Sequence, residues 1–451
     1  MMRFSIFQGI LYLLLFIISI EGTIALRNLL IGLIFTYLIF NKSVLVETYN
    51  SVLSFKELKS LVNALLIFLT YVLVHTLFIS EDFSWSLDEW RAQLLYPVIY
   101  FFIGLTIANL IKIKKLISLE AFLTAIFFSI FLHIIYIDLF GIDRLIDNGF
   151  MIRRYGGLMA SPTSANYITN IAIAMLTSEY MYRLRNNKKF LRLPNGFLHF
   201  ALVASIFSTF FESLRLGDIS LVLLGISASF IFVYKNNSFS KNSKVLITSL
   251  IILVLSTPLA YNIKSDPRWG KLVETIPLAI DTSKSDHWIN KSLPAPKSSS
   301  GYEVAGSNYE RIAWAKKSID YIILDPLGIG FGRNAFGHAM RMHHPDMIDL
   351  IPAGQTSHSS ILDLTVGTGI VGLILWLIFV LKVALYAFKK FMQDGSFFSI
   401  LTVFITVGYF SRGLVDANMR DHMFLQFMLL LGIIVFYLFS EEKKDEENFS
   451  H

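Results

Sequence analysis

Apolar runs of about 16 to 23 residues recur along the chain, and this recurrence constrains the fold more than any other feature. They lie near 5–20, 23–40, 61–79, 92–110, 118–140, 162–182, 196–211, 217–234, 244–262, 360–381, 396–411 and 421–439. A helix needs roughly 20 apolar residues to cross a bilayer, so the expected fold is all-α: a polytopic membrane protein with about 12 transmembrane helices. Composition agrees, with 54% hydrophobic and only 16% charged residues. A soluble domain carries about 25% charge; the deficit excludes disordered and fibrous classes and argues against a nucleic-acid partner. The absence of Cys removes thiolate catalysis, Cys-ligated metals and disulfides. The first run, preceded by Arg3, resembles a signal peptide. No small-residue cleavage site follows Ile20, so it reads as a membrane helix.

Orientation follows from the basic residues of the short connections. With the N-terminus inside, 20 Lys and Arg fall on the inner side, among them Lys42, Lys56, Lys59, Lys112, Arg183, Arg185 and Lys382; the short outer connections hold 8. Both termini are therefore expected in the cytoplasm. The outer eight are Arg27, Arg91, Arg144, Arg153, Arg154, Arg215, Arg412 and Arg420, without a single Lys, whereas 16 of the inner 20 are Lys. Guanidinium makes paired hydrogen bonds to phosphate, and ammonium acts as a hydrated point charge. Interfacial snorkelling of long side chains is the plainer use of such residues. The uniform choice of Arg points instead to an anionic, phosphorylated ligand at the outer face.

Four segments are expected: helices 1–9 over 1–262, an outer loop domain over 263–358, helices 10–12 over 359–440, and a cytoplasmic tail over 441–451. Within the loop domain, Ser307 and Glu310 have capping-box spacing. Tyr309, Ile312, Ala313, Ile319, Ile322 and Ile323 then suggest an amphipathic helix ended by Pro326. Arg311 falls in its first turn, where free N–H groups and the helix dipole favour an anion; an exposed Arg pairing with Glu310 or Asp320 is the alternative. Gly328-x-Gly330-x-Gly332 with Arg333 has the look of a phosphate loop. It lacks the preceding strand and full dinucleotide spacing, and a flexible turn returning the chain to the membrane is the preferred reading. His358 stands at the N-terminus of the tenth span, where the dipole disfavours imidazolium and keeps a neutral base, if it is not simply an interfacial residue. His338, His343, His344, Asp346 and His358 match no metal-ligand spacing, so no metal is expected.

Two separated stretches resemble the outer-loop signature of bacterial O-antigen ligases and their polymerase relatives. The first is Arg311, Trp314, then Asp325-Pro326-Leu327-Gly328-Ile329-Gly330-Phe331-Gly332 and Phe336. The second is His358-Ser359, nine residues, then Gly369-Ile370-Val371-Gly372. A weaker element upstream, Arg153-Arg154-Tyr155-Gly156-Gly157-Leu158 with Ser161-Pro162 and Ala165, is similar to a stretch that precedes the sixth span in this family.

The resemblance implies a GT-C-like membrane glycosyltransferase of the inner membrane that needs no cofactor or metal and has its active site at the periplasmic face. It would transfer a glycan from undecaprenyl diphosphate to lipid A–core oligosaccharide with inversion. The family's central His corresponds to His358 and its loop Arg to Arg311; a second Arg, in the outer turn between spans seven and eight, corresponds by topology to Arg215. Arg153, Arg154, Arg333 and Arg412 are the expected substrate-binding cations. A polymerase joining lipid-linked repeat units would share this signature. A polysaccharide transporter would instead place ionisable groups near the bilayer midplane with symmetry between its halves.

Overall fold

In the computed structural model, the residues described are 4–115, 117–147, 155–159, 161–209, 211, scattered positions between 225 and 264, 271–298, 301, 303–304, 306–352 and 354–440. They are helical apart from turns and two isolated bridges, Ile20 with Met159 and Lys297 with Glu303. Among them, five helices are long and apolar enough to cross a membrane: Lys56–Phe78, Phe83–Lys114, Leu119–Asp147, Ser360–Asp394 and Asp421–Ser440. The pair Ile24–Phe40 and Lys42–Ser54, bent by 87°, makes a sixth if counted as one span, and Phe4–Ile17, Asn195–Ser208 and Phe397–Gly413 are shorter apolar helices. The runs at 217–234 and 244–262 fall mostly outside the described residues.

In chain order the helices are α1 (Phe4–Ile17), α2 (Ile24–Phe40), α3 (Lys42–Ser54) and α4 (Lys56–Phe78). There follow α5 (Phe83–Trp90), running through a π-turn into α6 (Tyr96–Lys114), then α7 (Leu119–Asp147), α8 (Pro162–Asn186) and α9 (Asn195–Ser208). After the partly described stretch come α10 (Leu272–Ile280), α11 (Gly306–Leu324), α12 (Ala335–His343), α13 (Ser360–Asp394), α14 (Phe397–Gly413) and α15 (Asp421–Ser440).

Two elements depart from expectation. The stretch after Phe40, read as a loop, forms α3, because Val44, Thr48 and Val52 recur at helical spacing and bury one stripe. α8 occupies the expected sixth span but is not apolar enough to count as one by itself. It is buried on nearly every side, and its Asn166, Thr169, Ser178 and Glu179 lie inside the bundle. A helix walled in by neighbours needs no lipid-facing stripe, but its polar groups need partners. Glu179 has them: it accepts from the backbone N–H groups of Phe190 (3.2 Å) and Leu191 (2.8 Å) and pairs with Arg183.

α15 is the most enclosed helix of the bundle and lies along α6. A Cβ at Gly104 would run into the Leu429 carbonyl, and one at Gly432 into the Phe101 carbonyl. These two glycines let the backbones touch, as small residues do between helices in lipid, where packing rather than water exclusion drives association. Outward, large apolar side chains stand exposed, Phe40 at 73% and Phe78 at 80%, as a lipid-facing surface requires.

Residues 271–358 build a second, smaller core of Trp288, Tyr309, Ala313, Trp314, Tyr321, Phe336 and Met340. α11 is amphipathic as expected, but its buried face runs through Tyr309, Ala313, Trp314 and Tyr321, whereas Ile319 and Ile323 are exposed. It begins at Gly306, so Ser307 is already helical, and Glu310 pairs with Lys291 (3.1 Å). Arg311 consequently sits in the second turn rather than the first.

α13 is broken at Gly369, whose φ of 70° and ψ of −178° leave the helical region. Breaking a helix strands backbone groups that lipid cannot satisfy. Here the glycine-rich stretch supplies the partners. Ile329 N–H donates to the Val366 carbonyl (3.1 Å), Gly330 N–H to the Gly367 carbonyl (2.9 Å), and Ile370 N–H to the Pro326 carbonyl (3.1 Å). A Cβ at Gly328 or Gly369 would strike the other strand of this joint. Gly328-x-Gly330 therefore uses its N–H groups to mend a broken helix. With those N–H groups taken, the phosphate-loop alternative falls and the preferred turn stands, and the two halves of the signature meet through their backbones.

Candidate active site

Three elements converge beside the start of α13: the second turn of α11, the residues 356–363, and the connection 412–420 between α14 and α15. The turn at 356–363 is tightly specified. His358 has a left-handed backbone with φ of 59°, unusual for a residue with a side chain. Asp363 Oδ1 accepts the Ser357 N–H at 3.0 Å, one helical turn below. Ser359 caps α13 by accepting from Leu362 N–H (3.3 Å), and Ser360 Oγ donates to Asn418 Oδ1 (2.9 Å) while accepting from Met419 N–H (2.8 Å). The strained turn is thus tied both to its own helix and to the 412–420 connection.

The imidazole of His358 lies against the Trp314 indole, centroids 5.4 Å apart and planes within 24°. Among the described residues neither ring nitrogen has a hydrogen-bond partner. Burial pushes the His358 imidazole down to about 4; Arg311, Lys291 and Arg420 add to the effect and Asp416 opposes it. The ring is therefore neutral near pH 7, as expected, but burial and surrounding cations are the cause rather than the helix dipole alone. Arg311 Nη1 donates to the Val415 carbonyl at 3.0 Å, which fixes its guanidinium beside His358. Neither sequence-suggested partner takes it: Glu310 pairs with Lys291, and Asp320 with Lys316.

Around this centre the charges are ordered in layers. Arg333 and Arg420 share Asp421, at 2.8 and 3.0 Å, and Arg333 also pairs with Glu89 at 3.2 Å. A narrow cleft between Phe331–Arg333, Ser360–Leu364 and Ala417–Arg420 is lined by both arginines and Asp363. Asp363 is 5% exposed, and among the described residues its Oδ2 has no hydrogen-bond partner. Arg412 faces the other way. It is 1% exposed and donates to Asp416 (2.7 and 2.9 Å), Asn166 Oδ1 (2.7 Å) and the Thr163 carbonyl (2.6 Å). It holds the 412–416 turn from beneath rather than meeting a ligand in this arrangement. Arg153, Arg154 and Arg215 lie outside the described residues.

The other histidines are used separately. His338 stacks on Trp85 at 4.0 Å, and His343 bonds Asp325 at 2.8 Å while stacking on Tyr321. Among the described residues no three His, Asp or Glu gather as metal ligands. The residues absent from the sequence-based site are Asp363, Asp416 and Lys291, with Arg420 noted only as one of the outer arginines. The only sequence signal for the first two is a carboxylate one turn after a helix start and another in a polar run between two spans.

The family model described as O-antigen ligase matches residues 200–377, a stretch that contains α11, both signature halves and His358. That stretch is similar to an O-antigen ligase domain and supports the O-antigen ligase family. None of the curated proteins matches the chain. The O-antigen ligase resemblance drawn from Arg311 through Gly372 thus falls inside the matched stretch, and the family is that of multi-pass membrane glycosyltransferases acting on lipid-linked glycans.

Proposed function

We propose that this chain is an O-antigen ligase that transfers a glycan from undecaprenyl diphosphate to lipid A–core oligosaccharide at the periplasmic face of the inner membrane. The observation that carries the reading is a partly buried imidazole among cations, without a hydrogen-bond partner among the described residues, inside the family-matched stretch. In the proposed reaction His358 accepts the proton of an acceptor sugar hydroxyl. The freed oxygen attacks the anomeric carbon from the face opposite the diphosphate, and the C–O bond to phosphate breaks with its electron pair leaving on the diphosphate. Inversion follows from this single displacement, and no metal or cofactor is required.

Arg311 stabilises the charge that develops on the leaving diphosphate, with Arg215 as the second cation by topology. Such preorganised donors contribute about 10²–10³-fold each, and a positioned base about 10²–10⁴-fold. An imidazole with a pKa near 4 is a weak base in the free protein. Burial is the main cause of that depression and the cations add to it; a bound diphosphate neutralises the cations' share, so substrate raises the basicity of His358 in part as it docks. Arg333, Arg420, Arg153 and Arg154 are proposed to attract the diphosphate and the glycan, and Arg412 to act indirectly through the 412–416 turn.

A polymerase would use the same donor and the same centre, with a second lipid-linked glycan as acceptor. The deciding experiment is a gel of lipopolysaccharide and carrier-linked glycan from deletion cells complemented with wild type or His358→Ala. Loss of capped lipopolysaccharide with long glycan accumulating on the carrier identifies a ligase. Lipopolysaccharide bearing one repeat unit identifies a polymerase, and an unchanged ladder removes both.

A further inference from the structure

The same helix pair that positions the site carries an unassigned groove at its other end. α4 and α13 run antiparallel. Tyr71 Oη donates to the Thr368 carbonyl (2.9 Å) near the His358 end, and Lys382 Nζ donates to Ser60 Oγ (2.7 Å) near the other. From Ser60 to His75, which touches the Leu327 carbonyl, the helix rises about 22 Å. The groove, of about 380 Å³, opens between the far ends of the two helices. Lys56, Lys59 and Lys382 surround its polar end with Asn63, and Ile67 and Ile378 line its wall toward the middle of the bundle. Among the described residues none of the three lysines pairs with a carboxylate. Ile67 and Ile378 are 56% and 41% exposed.

Three ammonium groups from two helices, without a carboxylate partner among the described residues, therefore meet at one end of a cavity whose other end is hydrocarbon. This gradient along a membrane helix is the inverse of a phospholipid, anionic at its head and apolar in its chains. We propose that the groove binds an anionic diacyl phospholipid, its phosphate among Lys56, Lys59 and Lys382 and one acyl chain along Ile67 and Ile378, at the membrane face opposite His358. A free phosphate would use the lysines but gain nothing from the apolar wall. The proposal is independent of the transfer chemistry and rests only on α4 and α13 crossing the membrane.

Native mass spectrometry of the full-length protein, released from detergent after titration with dioleoyl phosphatidylglycerol or dioleoyl phosphatidylcholine, tests it. Wild type is expected to retain phosphatidylglycerol preferentially, with affinity falling roughly fivefold for each lysine removed. Lys56→Gln/Lys59→Gln/Lys382→Gln loses that preference. Ile378→Trp fills the groove without changing charge and is expected to lose the lipid too. Equal retention of the two lipids by wild type overturns the proposal, as does a preference that survives in the triple variant. Undiminished phosphatidylglycerol binding by Ile378→Trp would mean that charge alone holds the phosphate, and overturns the lipid reading. Should the triple variant not fold, the wild-type comparison and the exposed Ile378→Trp change still decide.

Discussion

At the scale of single residues, the site depends on how His358 is held as much as on its chemistry. His358→Ala is expected to lower transfer by about 10²–10⁴-fold while the protein still folds, read from carrier-linked glycan turnover by purified protein. Its depressed pKa also has a stability consequence. In the unfolded chain the ring takes up a proton below about 6.5, whereas the folded ring resists protonation until about 4. The unfolded state therefore binds more protons in that window, so the stability His358 contributes is present above 6.5 and is lost as the pH falls toward 4. His358→Gln, which cannot titrate, should flatten thermal stability measured between pH 6.5 and 4; an unaltered slope would assign the dependence to other groups. Asp363 is a positioning residue, since its Oδ1 accepts the Ser357 N–H. Asp363→Ala removes that acceptor, at about 1–3 kcal/mol for a stranded buried donor, and should depress turnover by displacing His358. Asp363→Asn keeps an acceptor oxygen and should restore much of it. Failure of Asn to rescue would point to a need for the negative charge itself.

At the scale of elements, the joint between the glycine-rich stretch and the break in α13 is the part most sensitive to small changes. Gly369→Ala must hold a side chain at positive φ, a strain of about 1–3 kcal/mol, and also collide with the Leu327 backbone. Gly328→Ala meets the same contact from the other side. Each alone should lower the unfolding temperature in detergent, and the pair should cost less than the sum, because both disrupt one joint. Additive losses would mean that the two glycines act separately. The 412–416 turn behaves likewise: Arg412 is buried against Asp416, Asn166 and the Thr163 carbonyl. Breaking a buried pair of this kind costs about 3–5 kcal/mol, so Arg412→Ala should destabilise the fold, which a direct ligand contact would not require.

At the scale of the whole molecule, the absence of Cys makes topology directly measurable. Ser292 and Lys189 are both exposed. Ser292→Cys is expected to react with a membrane-impermeant maleimide added to the outer surface, and Lys189→Cys only after permeabilisation; the reverse pattern would invert the proposed orientation. Much of the bundle was legible because hydropathy is local: a run of apolar residues declares a helix wherever its neighbours lie. The sequence likewise marked His358, Arg311 and Trp314, since the signature spacing sits within single stretches of chain. It could not show what the glycine run holds, because the partners of those N–H groups are carbonyls 37 residues away, exposed only where α13 breaks. It could not see that Arg412 turns inward, since that depends on α8 and α14 packing side by side. The helical class, the long apolar spans and the choice of His358 as the candidate base were thus determined by the sequence itself, through local periodicity and motif. What surrounds that imidazole, which cations face it and which are consumed in the core, was decided by the tertiary structure, because buried backbone and guanidinium groups take whichever acceptors the packing of distant helices leaves unpaired.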